Sequence, residues 1–213
     1  MTDSESIYRG AEAPNSLEIV RFNPCIITFT GPGLMGKTTL GRALAERTNF
    51  LHLDVDDTRW RLFERTPDQG YQVKLPESLE RFAMLTSYQA NHERARNAVW
   101  EGKPVILSAT YSREIYHEML KWLQDQTGVP LLVFLLEASD EQLEIRLQER
   151  LKSESLSNTR TFEELLAMKS RQKPMENVGL VRLNTGRSLD ETLADVFSHL
   201  SHLQIKYKEG LNP

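Results

Sequence analysis

Gly31-Pro32-Gly33-Leu34-Met35-Gly36-Lys37-Thr38 is the stretch from which the rest of this chain can be read. It fits the spacing G-x-x-x-x-G-K-[ST]. Before it stands Cys25-Ile26-Ile27-Thr28-Phe29-Thr30, a short β-branched and aromatic run that reads as a buried strand. After it, residues 37–48 carry Leu40, Ala43 and Leu44 at helical spacing. Strand, glycine loop and helix in that order form an anion cradle. Glycines let consecutive N–H groups turn inward, and the helix start adds its positive end. Lys37 brings a charge to the β- and γ-phosphates, and the Thr38 hydroxyl is suited to Mg²⁺. The predicted nucleotide site is therefore Gly31, Pro32, Gly33, Leu34, Met35, Gly36, Lys37, Thr38 and Thr39, with Mg²⁺·ATP as its ligand. The same glycines also match the dinucleotide fingerprint G-x-G-x-x-G, and Asp54 ends the next strand at a fitting distance. Lys37-Thr38 separates the two readings, because a triphosphate with a metal needs both side chains and a dinucleotide needs neither.

Outward from the loop, apolar runs alternate with helical spacing. Phe50–Asp54, Pro104–Ser108, Leu131–Leu136 and Leu180–Leu183 read as further strands. Helices are expected over 77–101, 112–126, 139–152, 161–172 and 189–203. Uniformly apolar strands imply that both sheet faces are covered, and the alternation implies parallel connections. The fold class is thus α/β, a five-stranded parallel sheet between helical layers.

Leu53-Asp54-Val55-Asp56-Asp57-Thr58-Arg59 follows the second strand directly. Carboxyl ends of neighbouring parallel strands open on one cleft, so Asp54 and Asp56 should stand beside the phosphate loop. One carboxylate can hold Mg²⁺ or its waters, and the other can take the proton of an attacking hydroxyl. Arg59, about one turn on, suits an anionic acceptor. The structural alternative is an acidic helix start capped by Asp56 or Asp57, and for Asp57 that alternative is preferred.

The phosphate loop and this acidic block together resemble the P-loop kinases of the gluconate kinase, adenylylsulfate kinase and polynucleotide 5′-kinase type, over residues 25–203. The resemblance implies the three-layer P-loop NTPase fold, strand order 2-3-1-4-5, a helical lid at about 145–172, and one domain over 25–213. It also implies transfer of the γ-phosphoryl of Mg²⁺·ATP to an alcohol. By that likeness Asp56 is the general base, Arg59 meets the acceptor, and Glu144–Arg150 is the lid helix. There Arg146 is expected on the nucleotide, and Arg150 with Lys37 on the transferring group. Thr38 and Asp54 are the expected metal ligands, with Asp54 also near the acceptor. One departure stands out. Many relatives end the third strand with an aspartate, where this chain has Ser108-Ala109-Thr110. The metal burden then falls on Thr38 and Asp54, and an ATP-binding module with little turnover becomes a rival reading. The acceptor is expected to be a small hydroxylated metabolite, with a polynucleotide or nucleoside 5′-hydroxyl as the alternative.

Composition narrows the rest. The 213 residues are 39% hydrophobic and 26% charged with net charge -4, which suits a sizeable core and provides no global field for nucleic acid. One cysteine, Cys25, excludes an internal disulfide and reads as a buried apolar residue. The five histidines show no metal spacing, and His199 and His202 fall on a predicted surface helix. Trp60, Trp100 and Trp122 read as core or packing residues rather than base-stacking platforms, with Trp60 of interest beside Arg59. Residues 1–24, broken by Gly10, Pro14 and Pro24, read as a loosely attached polar leader. With an acidic polar N-terminus and no run of ~20 apolar residues, a cytoplasmic location is expected. The polar, Ser-rich stretch 152–160, with Arg160 at its end, reads as the mobile tip of the lid, and the insert 60–87 as the shaper of the acceptor pocket.

Overall fold

The computed structural model describes residues 22–63, 76–152, 161–173, 175 and 178–210, with side chains in the last stretch described to 202. Most of the leader, positions 64–75 of the insert, the tip at 153–160 and Arg160 therefore lie outside the described residues.

Strands β1 (Ile26–Thr30), β2 (Leu51–Asp54), β3 (Val105–Ser108), β4 (Leu131–Glu137) and β5 (Leu180–Asn184) form one parallel sheet in the order β2-β3-β1-β4-β5. This is the P-loop NTPase arrangement expected. The apolar strand residues alternate between two cores. Ile27, Phe29, Ile106 and Phe134 face helices α1 (Lys37–Thr48) and α7 (Leu189–Gly210), joined by single buried leucines from α5 (Asp140–Lys152) and α6 (Phe162–Ser170). Ile26, Val105, Leu107 and Val133 face α3 (Glu77–Trp100) and α4 (Glu114–Thr127). Burial on both faces explains why the strands are uniformly apolar. Cys25 is buried as expected, and the Phe22 ring packs edge-on against Phe50, so the last leader residues are anchored.

Two expectations need correction. Val55–Leu62 is a further helix, α2, and its N-cap is Asp54 rather than Asp56 or Asp57. Trp100 and Trp122 are not core residues; they stand 61% and 46% exposed, on either side of the Arg96 guanidinium. His199 and His202 are exposed as expected. Among the described residues no helix is long and apolar enough to cross a membrane.

The registers bring Asp54 beside Ser108 and Glu137 beside Asn184, so these strand ends and Thr30 line up along one edge of the sheet. The candidate site gathers around that edge.

Candidate active site

The loop from Gly31 to Gly36 turns through three left-handed residues, Gly31 (φ 135°), Leu34 (φ 64°) and Gly36 (φ 86°). Gly36 is the N-cap of α1 and supplies no side chain to it, so the first-turn N–H groups are left for an anion. Leu34 is the anomaly, since a residue with a Cβ costs about 1–2 kcal/mol there. Its side chain packs against the first core, and its carbonyl accepts from Arg146 Nη1 at 3.1 Å.

Lys37 Nζ donates to the Gly31 and Pro32 carbonyls at 2.8 and 2.5 Å, which stretches the ammonium along the inside of the loop. Burial pushes its pKa down to about 8; Asp56 and Asp54 oppose the shift, and Arg150 adds to it. Those charges therefore face the lysine. Asp54, only 8% exposed, is used twice. One oxygen accepts the Thr38 hydroxyl at 2.7 Å, and the other accepts Asp56 N–H at 2.8 Å as the cap of α2. Burial, then the neighbouring Asp56, raises its carboxyl above the ordinary range. The Asp56 side chain is 61% exposed and accepts Arg59 Nη2 at 2.9 Å, while Arg59 itself is buried. Beside Arg59, the Thr58 hydroxyl donates to Asn91 at 2.5 Å, which fixes α2 to α3.

Ser108 sits where a third carboxylate was the alternative. Its hydroxyl lies 2.8 Å from His52 Nε2 and donates to the Lys37 carbonyl at 3.3 Å. Burial, with Arg42 helping, pushes His52 down to about 4, so the pair is neutral at neutral pH. Gly41 covers it, and nothing larger fits; a Cβ would stand 2.4 Å from His52 Nε2.

Across the cleft, Arg146 bridges two loops. It donates to Leu34 O and to the Thr185 hydroxyl at 3.2 Å, and it also binds the Thr185 carbonyl. Arg150 lines the same space one turn on. The resulting cavity of about 1380 Å³ takes in the phosphate loop, Asp54, Asp56, Arg59, Arg146 and Arg150. Of the described site residues expected from the sequence, all but Gly31 and Met35 line it, Met35 being buried in the first core, and Trp60 lines it too. Thr38 and Asp54 bring hard oxygens 2.7 Å apart, a donor set that suits Mg²⁺ completed by phosphate oxygens and water. Among the described residues no group of three or more His, Cys, Asp or Glu is placed to hold a metal.

Sequence reasoning missed the far wall. Tyr88, Tyr111 and His92 form a buried aromatic and hydrogen-bonded cluster under the acceptor side, and Gln172 ties the chain after α6 to Thr110 O and Tyr111 O at 3.1 and 3.3 Å. Only the lone glycine in α1 carried a local signal, since glycine inside a helical pattern marks a close approach.

The family model described as "AAA domain" matches residues 26–175. Among solved structures, the chain is similar to a gluconokinase from Sinorhizobium meliloti 1021, with 17% identity over 90% of this chain and 100% of that one and a TM-score of 0.64. It is similar to Mycobacterium tuberculosis APS kinase in complex with AMPPNP and APS (18% identity, 84% and 99% covered, TM-score 0.56). It is likewise similar to shikimate kinase from Aquifex aeolicus vf5 (17% identity, 83% and 96% covered, TM-score 0.53). At these identities the likeness is one of fold. None of the curated proteins matches the chain.

Proposed function

Given that the chain belongs to the AAA domain family, we propose that it is a kinase that transfers the γ-phosphoryl of Mg²⁺·ATP to a hydroxyl of a small metabolite. The observation that carries this reading is the opposition of Lys37, lying inside the phosphate loop, to Asp54 and Asp56 at the end of β2.

The two carboxylates divide the work by their surroundings. Both Asp54 oxygens are engaged, by Thr38 and by the α2 cap, which suits a metal-side ligand. Asp56 Oδ1 is held by Arg59, and no other hydrogen bond to the Asp56 side chain occurs among the described residues. Asp56 therefore takes the proton of the acceptor hydroxyl as that oxygen bonds to the γ-phosphorus and ADP leaves. Lys37 and Arg150 meet the charge on the transferring group. Thr38 and Asp54 would hold Mg²⁺, which would supply neutralisation of charge on the phosphate oxygens. Arg146 joins Leu34 O to Thr185 and so sets the nucleotide side of the cavity. The proposed lid is 145–172, of which 153–160 lie outside the described residues, and the proposed single domain is 25–213.

A small-molecule acceptor is supported by a cavity lined by α2, α3, α4 and α5 and by the named relatives, which are kinases of gluconate, APS and shikimate. One observation favours a second reading, a nucleotide-binding module with little turnover: Ser108 is committed to His52 and brings no carboxylate. An ADP-coupled assay over a panel of sugars, sugar acids and phosphorylated alcohols separates the two. Acceptor-dependent ADP release that disappears in Lys37→Ala, with an unchanged circular dichroism spectrum, is expected. Wild-type turnover in that variant would refute the phosphate-loop assignment, and binding without ADP release would favour the module.

A further inference from the structure

The chain is acidic overall, with net charge -4, yet its cavity is not. Ten lysines and arginines against six aspartates and glutamates line it. Lys37, Arg146 and Arg150 are taken up by the nucleotide reading. A second group of cations lies elsewhere, on the wall formed by the start of α4 and the segment after α6: Arg113, Arg171 and Lys173.

Two linked features fix that wall. Tyr111 adopts φ 43°, a left-handed conformation that costs an aromatic residue about 1–2 kcal/mol. It is held there by four contacts. Its N–H donates to Tyr88 Oη at 3.0 Å, its hydroxyl meets His92 Nε2 at 2.9 Å, and its carbonyl meets His117 Nε2 at 2.6 Å and Gln172 Nε2 at 3.3 Å. The bend delivers Ser112 and Arg113 to the cavity, where Arg113 becomes the N-cap of α4 and caps it with no side-chain bond. Gln172 is the second feature. Its two bonds to Thr110 O and Tyr111 O clip the chain after α6 onto this bend, and its neighbours Arg171 and Lys173 line the same cavity as Arg113.

These cations are poorly compensated. Arg113 and Arg171 form no ion pair among the described residues, and Lys173 has only a long one there, to Glu114 Oε2 at 3.9 Å. Like charges gathered at one wall repel unless an anion joins them. A strained bend and a clip that hold them together therefore make sense as a binding device.

Resting on the nucleotide site described above, we propose that Arg113, Arg171 and Lys173 form an anion subsite for a phosphomonoester carried by the acceptor alcohol, so that the enzyme phosphorylates an already phosphorylated metabolite. A tetrahedral dianion suits donors that arrive from two segments beside a helix start without a side-chain cap better than a planar carboxylate does. The substrate would then be made by a preceding phosphorylation or phosphate-ester-forming step.

The test uses the full chain saturated with Mg²⁺·AMPPNP, which fills the phosphate loop, and titrates inorganic phosphate by calorimetry. One phosphate site is expected, weakened at least tenfold in Arg113→Ala/Lys173→Ala, whose side chains are exposed and bear no core. Lys103→Ala removes a charge outside the cavity and is expected to leave phosphate affinity unchanged. Three results overturn the subsite while the nucleotide site stands: no phosphate binding beside bound AMPPNP, equal affinity in the double variant, or acetate binding as tightly as phosphate. Failure of AMPPNP itself to bind refutes the kinase reading and takes the subsite with it.

Discussion

Replacing Gly41 by alanine tests whether the base of the site is as tightly built as its geometry implies. Gly41 lies inside α1, where alanine is the better helix former by about 0.8–1 kcal/mol. On propensity alone the substitution stabilises. The structure argues the opposite. The added Cβ would stand 2.4 Å from His52 Nε2, 2.9 Å from His52 Cδ2 and 2.8 Å from Ser108 Oγ. Neither group is the loose end of a long chain; both sit at the sheet edge and bind each other at 2.8 Å. Overpacking costs about 1–3 kcal/mol. Parting the pair leaves a buried imidazole without its partner, at roughly 1–3 kcal/mol more. After the helix gain, a net loss of about 3 kcal/mol remains, which lowers Tm by roughly 6–12 °C in a domain of this size. Thermal and urea unfolding measure it. Turnover should fall as well at a temperature where the variant is folded, because Ser108 also binds the Lys37 carbonyl. His52→Ala in the same chain makes room, so the two changes together should cost less than their sum. A Gly41→Ala protein that melts higher than wild type would refute the close-approach argument outright.

Asp56→Asn keeps the Arg59 contact and loses the base, so kcat should drop about 10²–10⁴-fold with nucleotide affinity little changed; a larger effect on chemistry in Asp54→Asn, with Mg²⁺ dependence kept, would exchange the two roles. Lys37, held down to about 8 by burial, must be protonated to meet phosphate, so nucleotide affinity should be level below pH 8 and weaken above it. Nucleotide affinity that is flat to pH 9.5 would contradict that. His52 and His92 are each pushed by burial to about 4. Because the unfolded chain takes up these protons near pH 6.5 and the folded one only near 4, stability should fall on acidification through that window, by on the order of 2 kcal/mol per histidine between pH 7 and 5. Urea titrations at the two pH values check it, and the loss should shrink in His92→Gln.

The sheet was legible because a parallel strand covered on both faces must be apolar along its length, and Ile26–Thr30, Val105–Ser108 and Leu131–Glu137 each carry that signature. Helix α2 was legible only as an acidic helix start, with its cap misplaced, because Val-Asp-Asp-Thr-Arg-Trp-Arg-Leu shows no apolar period; it is started by the Asp54 cap and held by Thr58 and the buried Arg59. Trp100 and Trp122 misled because bulk usually means burial, whereas here the two rings flank Arg96 on the surface. The Tyr88–Tyr111–His92 cluster joins residues 19 and 23 positions apart through side-chain bonds, and no local pattern announces such pairing. The phosphate loop was legible because its chemistry is local: spacing alone sets the nest, the lysine and the hydroxyl.

Ser108 shows how the departures form one arrangement. As the strand partner of Asp54, a carboxylate at 108 would add a negative charge next to an acid that burial and Asp56 already raise. Serine avoids that repulsion and leaves Asp54 as the carboxylate that accepts the Thr38 hydroxyl. Its hydroxyl then needs a partner, since a buried polar group without one costs about 1–3 kcal/mol. His52, on the neighbouring strand and neutral at physiological pH, provides it. That pair in turn requires the helix above to come close, which only glycine at 41 permits. Serine, histidine and glycine are thus one substitution in physical terms. They move the burden of positioning charge at the strand edge from two acids to one.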